Sequence, residues 1–182
     1  TTGLVLDHSG YATDVVASKD KFARNQAILQ KELETASDDE YILFQLGKSH
    51  FCARDYASAA EYLERAMKAI DFDAEPRPVG KKGPVATATL TDLPVSLAYA
   101  YCDTNRVETA KTLLESHAAM GHPGTIAPDF PHALGYVYLM LGDIEKSRAA
   151  YEESLVRGAE DEQVLGTGSY ASLYHLGLLA EA

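Results

Sequence analysis

A pair of small residues set twelve positions apart occurs three times in this 182-residue chain: Gly47 with Ala59, Ala98 with Ala110, and Gly135 with Ser147. Each pair sits among large apolar residues at steps of three and four, the period of one helix face. In the first unit Leu43, Leu46, Gly47 and His50 share a face, then Tyr56, Ala59, Leu63 and Ala66, with Asp55 in the turn between them. The second unit runs Pro94, Leu97, Ala98, Tyr101, then Val107, Ala110, Leu114, His117, around Asp103–Arg106. The third runs Pro131, Leu134, Gly135, Tyr138, then Ile144, Ser147, Tyr151, Ser154, around Gly142 and Asp143. Gly, Ala or Ser at the point where two antiparallel helices cross lets their axes approach closely, and the flanking large residues fill the space beside the crossing. The pattern therefore predicts a row of helical hairpins. A fourth first helix follows at Leu173, Leu176, Gly177 and Ala180, close to the last residue, Ala182.

The intervals between units are uneven. Gly47 to Ala98 is 51 residues, Ala98 to Gly135 is 37 and Gly135 to Gly177 is 42. The surplus after the first hairpin falls in Asp71–Pro84, where three Pro and two Gly forbid regular helix, so residues 71–92 read as a long loop. Gly121–Pro128 reads as a second loop. Asp92 before Leu93-Pro94 and Asp129 before Phe130-Pro131 read as matched helix starts, with a carboxylate at the positive helix end and Pro in the first turn. Upstream, Ser18–Glu34 reads as an amphipathic helix with Phe22, Leu29 and Leu33 on one stripe and Ser18 as N-cap. Leu4-Val5-Leu6 is a short strand-like run, which a stack of hairpins has no use for.

Charge and composition narrow the function classes. Twenty-seven acidic against sixteen basic side chains give −11, and no basic block is present. Nucleic acid and anionic membranes need clustered Lys and Arg, so neither is expected as a partner. No stretch approaches the ~18 apolar residues of a membrane span. Cys52 and Cys102 lie far apart with no CxxC partner, which argues against a zinc cage or a disulfide framework and for buried thiols in a reducing, cytoplasmic setting. At this length neither metal nor disulfide is needed to hold a core.

The hairpin template resembles the tetratricopeptide (TPR) repeat, whose first helix carries a large residue, Leu-Gly and Tyr, and whose second carries a spaced Ala, aromatic, Ala series. The resemblance implies an all-α fold, a right-handed superhelical α-solenoid of TPR-like hairpins with a short N-terminal strand-like segment. Residues 1–17 are then a remnant or linker from an upstream domain. Residues 18–182 form the repeat domain, with hairpins at about 40–70, 93–120 and 130–157 and a final helix at about 169–182. A regular TPR array repeats every ~34 residues, so this one is irregular. The N-terminal junction resembles a more specific arrangement. His8-x-Gly10-Tyr11, then Lys21, Arg24 and Asn25, then a hairpin from Tyr41, is similar to the C-terminal region of family 2 glycosyltransferases with appended TPR repeats; Gly166–Tyr170 fits the same tail. That resemblance implies a parent enzyme in which an upstream sheet domain binds a nucleotide-sugar and a divalent metal through a DxD motif, with His8 near the diphosphate. In this chain the DxD string Asp71-Phe72-Asp73 follows a repeat helix and reads as charged loop residues. The chain itself is expected to hold no metal or cofactor and to have no catalytic residue, His8 acting only beside such an upstream domain.

Other chemistry is thinly signalled. His117 and His122 lie five apart and His132 sits near a helix start; they read as packing or surface histidines. No serine lies on a Gly-flanked strand-to-helix turn, and Gly166-x-Gly168 lacks the rest of a phosphate loop. What remains is a binding surface. Stacked hairpins make a superhelix with a concave side lined by first helices. Residues off the packing stripes are the candidates there: Gln45, Lys48, Ser49, Tyr99, Tyr136 and Tyr174. Tyr gives large contact area at low entropic cost, and the chain has eleven. Tyr101, Tyr138 and Tyr151 read as repeat core. The expected partner is a peptide or protein on the concave face; retention of part of a transferase site through His8 and a structural, self-associating role are the other readings.

Overall fold

The computed structural model describes residues 15–36, 39–70 and 87–181. The Leu4–Leu6 run, His8, the DxD string and residues 71–86 of the expected loop lie outside them. Eight α-helices follow one another among the described residues: α1 (Val15–Leu33), α2 (Glu40–Cys52), α3 (Tyr56–Ala69), α4 (Thr87–Asp103), α5 (Val107–Met120), α6 (Asp129–Met140), α7 (Ile144–Arg157) and α8 (Tyr170–Glu181), with a 3₁₀ turn at Pro123–Thr125. No strand occurs among the described residues. The helices pair as α2/α3, α4/α5 and α6/α7, each pair stacks on the next, and α8 lies against α7. The architecture is an all-α solenoid of helical hairpins.

The small-residue pairs are the crossing points. A Cβ built on Gly47 would stand 2.5 Å from Leu63 Cγ, and one on Gly135 would stand 2.9 Å from the Tyr151 ring. Ser147 Oγ donates to the Gly135 carbonyl at 2.8 Å, which ties the third crossing directly. The three turns also match. Arg54, Asn105 and Gly142 each stand seven residues after a crossing residue and each has a left-handed backbone, with φ of 61°, 60° and 76°. The next amide then reaches back to the first helix, Asp55 to His50, Arg106 to Tyr101 and Asp143 to Tyr138, which closes the helix end by the Schellman pattern. Asp39, Asp55 and Asp143 cap α2, α3 and α7 by accepting backbone N–H groups of the first turn. The core runs the length of the stack through Leu43, Leu46, Leu63, Leu93, Leu97, Leu114, Phe130 and Val137.

Three sequence expectations are corrected. The first concerns α4, which begins at Thr87, so positions 87–92 of the expected 71–92 loop are helical and Pro94 lies inside the helix. Pro94 offers no N–H to the Leu90 carbonyl four residues back. At that carbonyl Gly124 packs so closely that a Cβ would come within 2.3 Å of it. Leu90 and Thr91 are buried, and this tertiary cover holds the extra turns that the Pro signal argued against. The second concerns α1, which starts at Val15, so Ser18 is an internal helix residue and no N-cap. Cys102 is buried but Cys52 is exposed, so only one of the two thiols belongs to the core.

Candidate functional site

The first helices of successive hairpins, α2, α4, α6 and α8, bring one register of side chains into a line. Lys48, Tyr99 and Tyr136 each directly follow a crossing residue, so they occupy equivalent places on α2, α4 and α6. Tyr99 and Tyr136 stand together with ring centroids 5.5 Å apart. Tyr136 faces His175 of α8 at 6.5 Å, and Tyr174 lies against His175 at 5.6 Å. Four of the line's rings thus come from three helices. Tyr99 and Tyr136 are half-buried and Tyr174 is 65% exposed, so the row is open to solvent along one side.

The remaining candidates fare differently. Lys48 Nζ donates to Asp92 Oδ1 at 2.8 Å and to Ser96 Oγ at 3.1 Å, and Ser96 itself donates to Asp92 at 2.7 Å. That network clamps α2 to α4 and neutralises the cation. Gln45 is half-buried. Ser49 is 7% exposed, so it is packed inside the stack and cannot be an exposed contact; its hydroxyl finds no partner there.

Under the open row lies a second layer that the sequence did not single out as a site. Tyr151 of α7 is fully buried and stacks on His175 with centroids 4.8 Å apart and planes 3° from parallel. His132 meets both rings edge-on, at 5.2 and 5.5 Å. Tyr151 Oη and His175 Nδ1 are buried without a hydrogen-bond partner. Ser172 donates to the Thr167 carbonyl at 2.6 Å, so its oxygen must accept the bond from His132 Nδ1 at 2.8 Å, which sets the His132 tautomer. A buried serine committed in this way is a packing group and no nucleophile. Burial first, and then the nearby His175, push His132 down to about 4; burial lowers His175 as well. Both imidazoles are therefore neutral at pH 7. Asp129, 1% exposed, spends its carboxylate on the amides of Gln163 and Val164 at 2.8 and 2.7 Å, which fastens the segment before α8.

Electrostatics set the inner tyrosines apart from the rest. Tyr101 Oη donates to Glu64 at 3.0 Å while Arg106 lies 4.2 Å over its ring and bonds the same carboxylate at 2.9 Å. Tyr138 Oη donates to Glu115 at 2.9 Å and carries Lys146 at 5.4 Å over its ring. Burial, then these carboxylates, push both phenols up to about 12. Tyr99, Tyr136 and Tyr174 make no hydrogen bond and carry no cation among the described residues. Burial raises Tyr99 and Tyr136 as well, with Tyr151 and Asp129 adding to the first and Cys102 and Asp103 to the second. His117 is buried with its ring 5.0 Å from that of His122. Among the described residues no cluster of three or more His, Cys, Asp or Glu is placed to hold a metal, and no helix is long and apolar enough to cross a membrane.

No protein-family model and no curated protein matches the chain. Solved structures do. One of MamA superposes with a TM-score of 0.66 at 19% identity, covering 98% of this chain and 85% of that one. The structure titled "YrrB: a TPR protein with an unusual peptide-binding site" superposes at 0.60 and 15%, covering 92% of this chain and 72% of that one. The chain has the TPR fold. Its crossing glycines, left-handed turns and paired helices are the TPR elements, and the aromatic row belongs to the first helices of the TPR array. Sequence reasoning missed Tyr151, His132 and His175 as neighbours of that row. The available signal was register: His175 precedes Gly177 by two, and Tyr151 stands where Leu63 and Leu114 stand in the other hairpins.

Proposed function

We propose that this chain is a non-catalytic module that binds a peptide or protein segment along the concave, first-helix face of its TPR array, with Tyr99, Tyr136 and Tyr174 as the main contacts. The observation that carries the reading is the contrast among its tyrosines: the outer ones are bonded and capped by this chain's own charges, while the inner row makes no hydrogen bond and carries no cation among the described residues and is half-open. Rigid amphipathic rings of that kind dominate binding energy at protein interfaces. A structural neighbour whose title names a peptide-binding site supports the class of ligand. The test is selection from a displayed peptide library followed by Tyr99→Ala and Tyr136→Ala. Selected peptides should lose tenfold or more in affinity with either change and keep it with Tyr138→Phe; binders indifferent to both inner tyrosines would defeat the reading.

Within a longer polypeptide we place the module behind a family 2 glycosyltransferase domain, where it would position an acceptor. The support is the His8-x-Gly10-Tyr11 junction and the helix that follows it. Nucleotide-sugar and divalent metal would bind that upstream domain and not this chain. The coding sequence before Thr1 decides the matter, since a sheet-rich domain with a DxD is required. A cytoplasmic setting agrees with two unpaired thiols. A self-associating role has its own support in α8, where Leu173, Tyr174 and Leu178 are exposed around Gly177, which meets nothing within 4 Å. Light scattering showing a monomer at high concentration would remove it.

A further inference from the structure

We infer that copies of this chain join end to end, α8 of one copy taking α1 of the next as the second helix of its hairpin. This rests on the self-associating role raised for α8 above and names the surface that meets it. α8 continues the series of first helices, yet no second helix covers its crossing face among the described residues: Gly177 meets nothing within 4 Å, and Leu173, Tyr174 and Leu178 are exposed around it. At the other end α1 lies against α2 as α3 lies against α4 and α5 against α6, which is the place of a second helix from a preceding unit. Side-chain contacts fix its register. Tyr101 and Tyr138, three residues after their crossing residues, donate to Glu64 and Glu115 of the preceding second helices. At the first crossing that position is His50, whose ring stacks on Tyr62, and Tyr62 Oη donates to Gln30 of α1 at 2.9 Å. Gln30 therefore stands where Glu64 and Glu115 stand, which aligns Asn25, Leu29 and Glu32 with Ala59, Leu63 and Ala66. The latter three are fully buried in their hairpin, whereas Asn25 and Glu32 are exposed and Leu29 is half-buried.

Each end thus offers the helix face that the other lacks among the described residues. In hairpin register Leu29 of one copy would sit on Gly177 of the other as Leu63 sits on Gly47, with the exposed Ile28 adding apolar surface. The charges of the two ends are opposite. Residues 15–33 carry Lys19, Lys21, Arg24 and Lys31 against Asp20 and Glu32, a charge of +2 in a chain of −11. Residues 158–181 carry Glu160, Asp161, Glu162 and Glu181 with no Lys or Arg, a charge of −4. Complementary ends are steered together, while a symmetrical α8–α8 pairing would set like charges against each other. The contact is heterologous, so using one end leaves the other open and copies add in a row. Asn25 and Glu32 keep α1 soluble when it is free. One helix face per copy is a small interface, so the association is weak, on the order of 0.1 mM, and the ends are free in dilute solution. Tyr99 and Tyr136 take no part in it.

The test is analytical ultracentrifugation of the whole chain over rising concentration, with two variants that each block one end. Gly177→Lys and Asn25→Lys both place a long charged side chain at an exposed position, and circular dichroism checks that each still folds. The unmodified chain should show an average mass that climbs past the dimer, and raised salt should weaken the association several-fold. Either variant alone should associate at least tenfold more weakly. Mixed in equal amounts they should recover the association and stop at a heterodimer, because the mixture has one open α8 and one open α1 for each pair. Failure of the mixture to recover it overturns the inference. A dimer that forms without growing further and survives Asn25→Lys overturns the end-to-end arrangement and leaves the self-associating reading standing. A strict monomer at every concentration sinks both.

Discussion

The first and last glycine crossings carry the same sequence mark and end in opposite surroundings. At Gly47 the second helix presses Leu63 so close that a Cβ would stand 2.5 Å from it, and Leu43, one turn earlier, is 1% exposed. At Gly177 nothing lies within 4 Å, and Leu173, the counterpart of Leu43, is 58% exposed. Small residues permit a close crossing; they do not cause one. The packing energy comes from the large side chain that the second helix brings, at about 25 cal/mol for each Å² of apolar surface removed from water. What holds α8 is its other side, where Ser172 and Leu179 are buried against the third hairpin and Arg148 donates to the Leu179 carbonyl at 3.4 Å.

The largest expected effect breaks the first crossing. Leu63 is fully buried, so Leu63→Ala leaves a cavity and should cost about 3–4 kcal/mol by urea denaturation. Leu173→Ala should cost less than about 0.5 kcal/mol. Equal losses at the two sites would mean that the exposed face of α8 is covered in solution.

A change of pH should separate the two ends nearly as strongly. His132, 7% exposed, has its folded pKa pushed down to about 4, from an ordinary value near 6.5, by burial first and then by His175. Because the folded value lies below the unfolded one, the unfolded chain binds the proton first. His132 therefore costs nothing above pH ~6.5, and stability falls as pH drops from there to about 4, by up to roughly 3 kcal/mol at 1.36 kcal/mol per unit. His132 bonds Ser172 of α8, so the loss should appear as faster amide exchange in α6 and α8 at pH 4.5 than at pH 7. Retention of α8 protection at pH 4.5 would show that the imidazole is accommodated when charged.

Glycine replacement gives the sharpest form of the comparison. Gly47→Ala gains up to ~1 kcal/mol of helix propensity but drives a methyl into the middle of the Leu63 side chain, so a net loss of about 1–2 kcal/mol is expected. Gly177→Ala meets open space and should gain up to about 1 kcal/mol. The opposite signs for one substitution at two equivalent positions are read directly from urea midpoints, and a loss at Gly177 would reveal a partner helix on that face.

The legible part of this fold was its register. Crossings, turns and helix faces follow from steps of three, four and twelve because they are fixed by helix geometry within one hairpin. The start of α4 was not legible, since Leu90 and Thr91 are held helical by a segment more than thirty residues later, where Gly124 closes on the Leu90 carbonyl. The site divided in the same way. Tyr99, Tyr136 and Tyr174 were found from register within their own helices. Ser49 was misplaced because its exposure depends on the neighbouring helices. His132 and His175 were missed because they meet only when α6 and α8 stack, and no pattern within either helix announces that contact.

The smallest expected effect concerns the turns, where the three closed hairpins agree with one another. Arg54, Asn105 and Gly142 share a left-handed backbone at the same place, with φ of 61°, 60° and 76°. Only glycine is unstrained there; for Arg54 the conformation costs about 1–2 kcal/mol, and Asn tolerates it better. Arg54 is exposed, so its side chain adds little packing. Arg54→Gly removes the strain but frees the unfolded chain by about 0.4–1 kcal/mol, so a net gain of about 0.5–1 kcal/mol is expected. Asn105→Gly should gain less, and Gly142→Ala should lose about 1 kcal/mol. If Arg54→Gly instead destabilises, the left-handed turn is held by contacts of the arginine side chain, and the first hairpin differs from the other two in its turn.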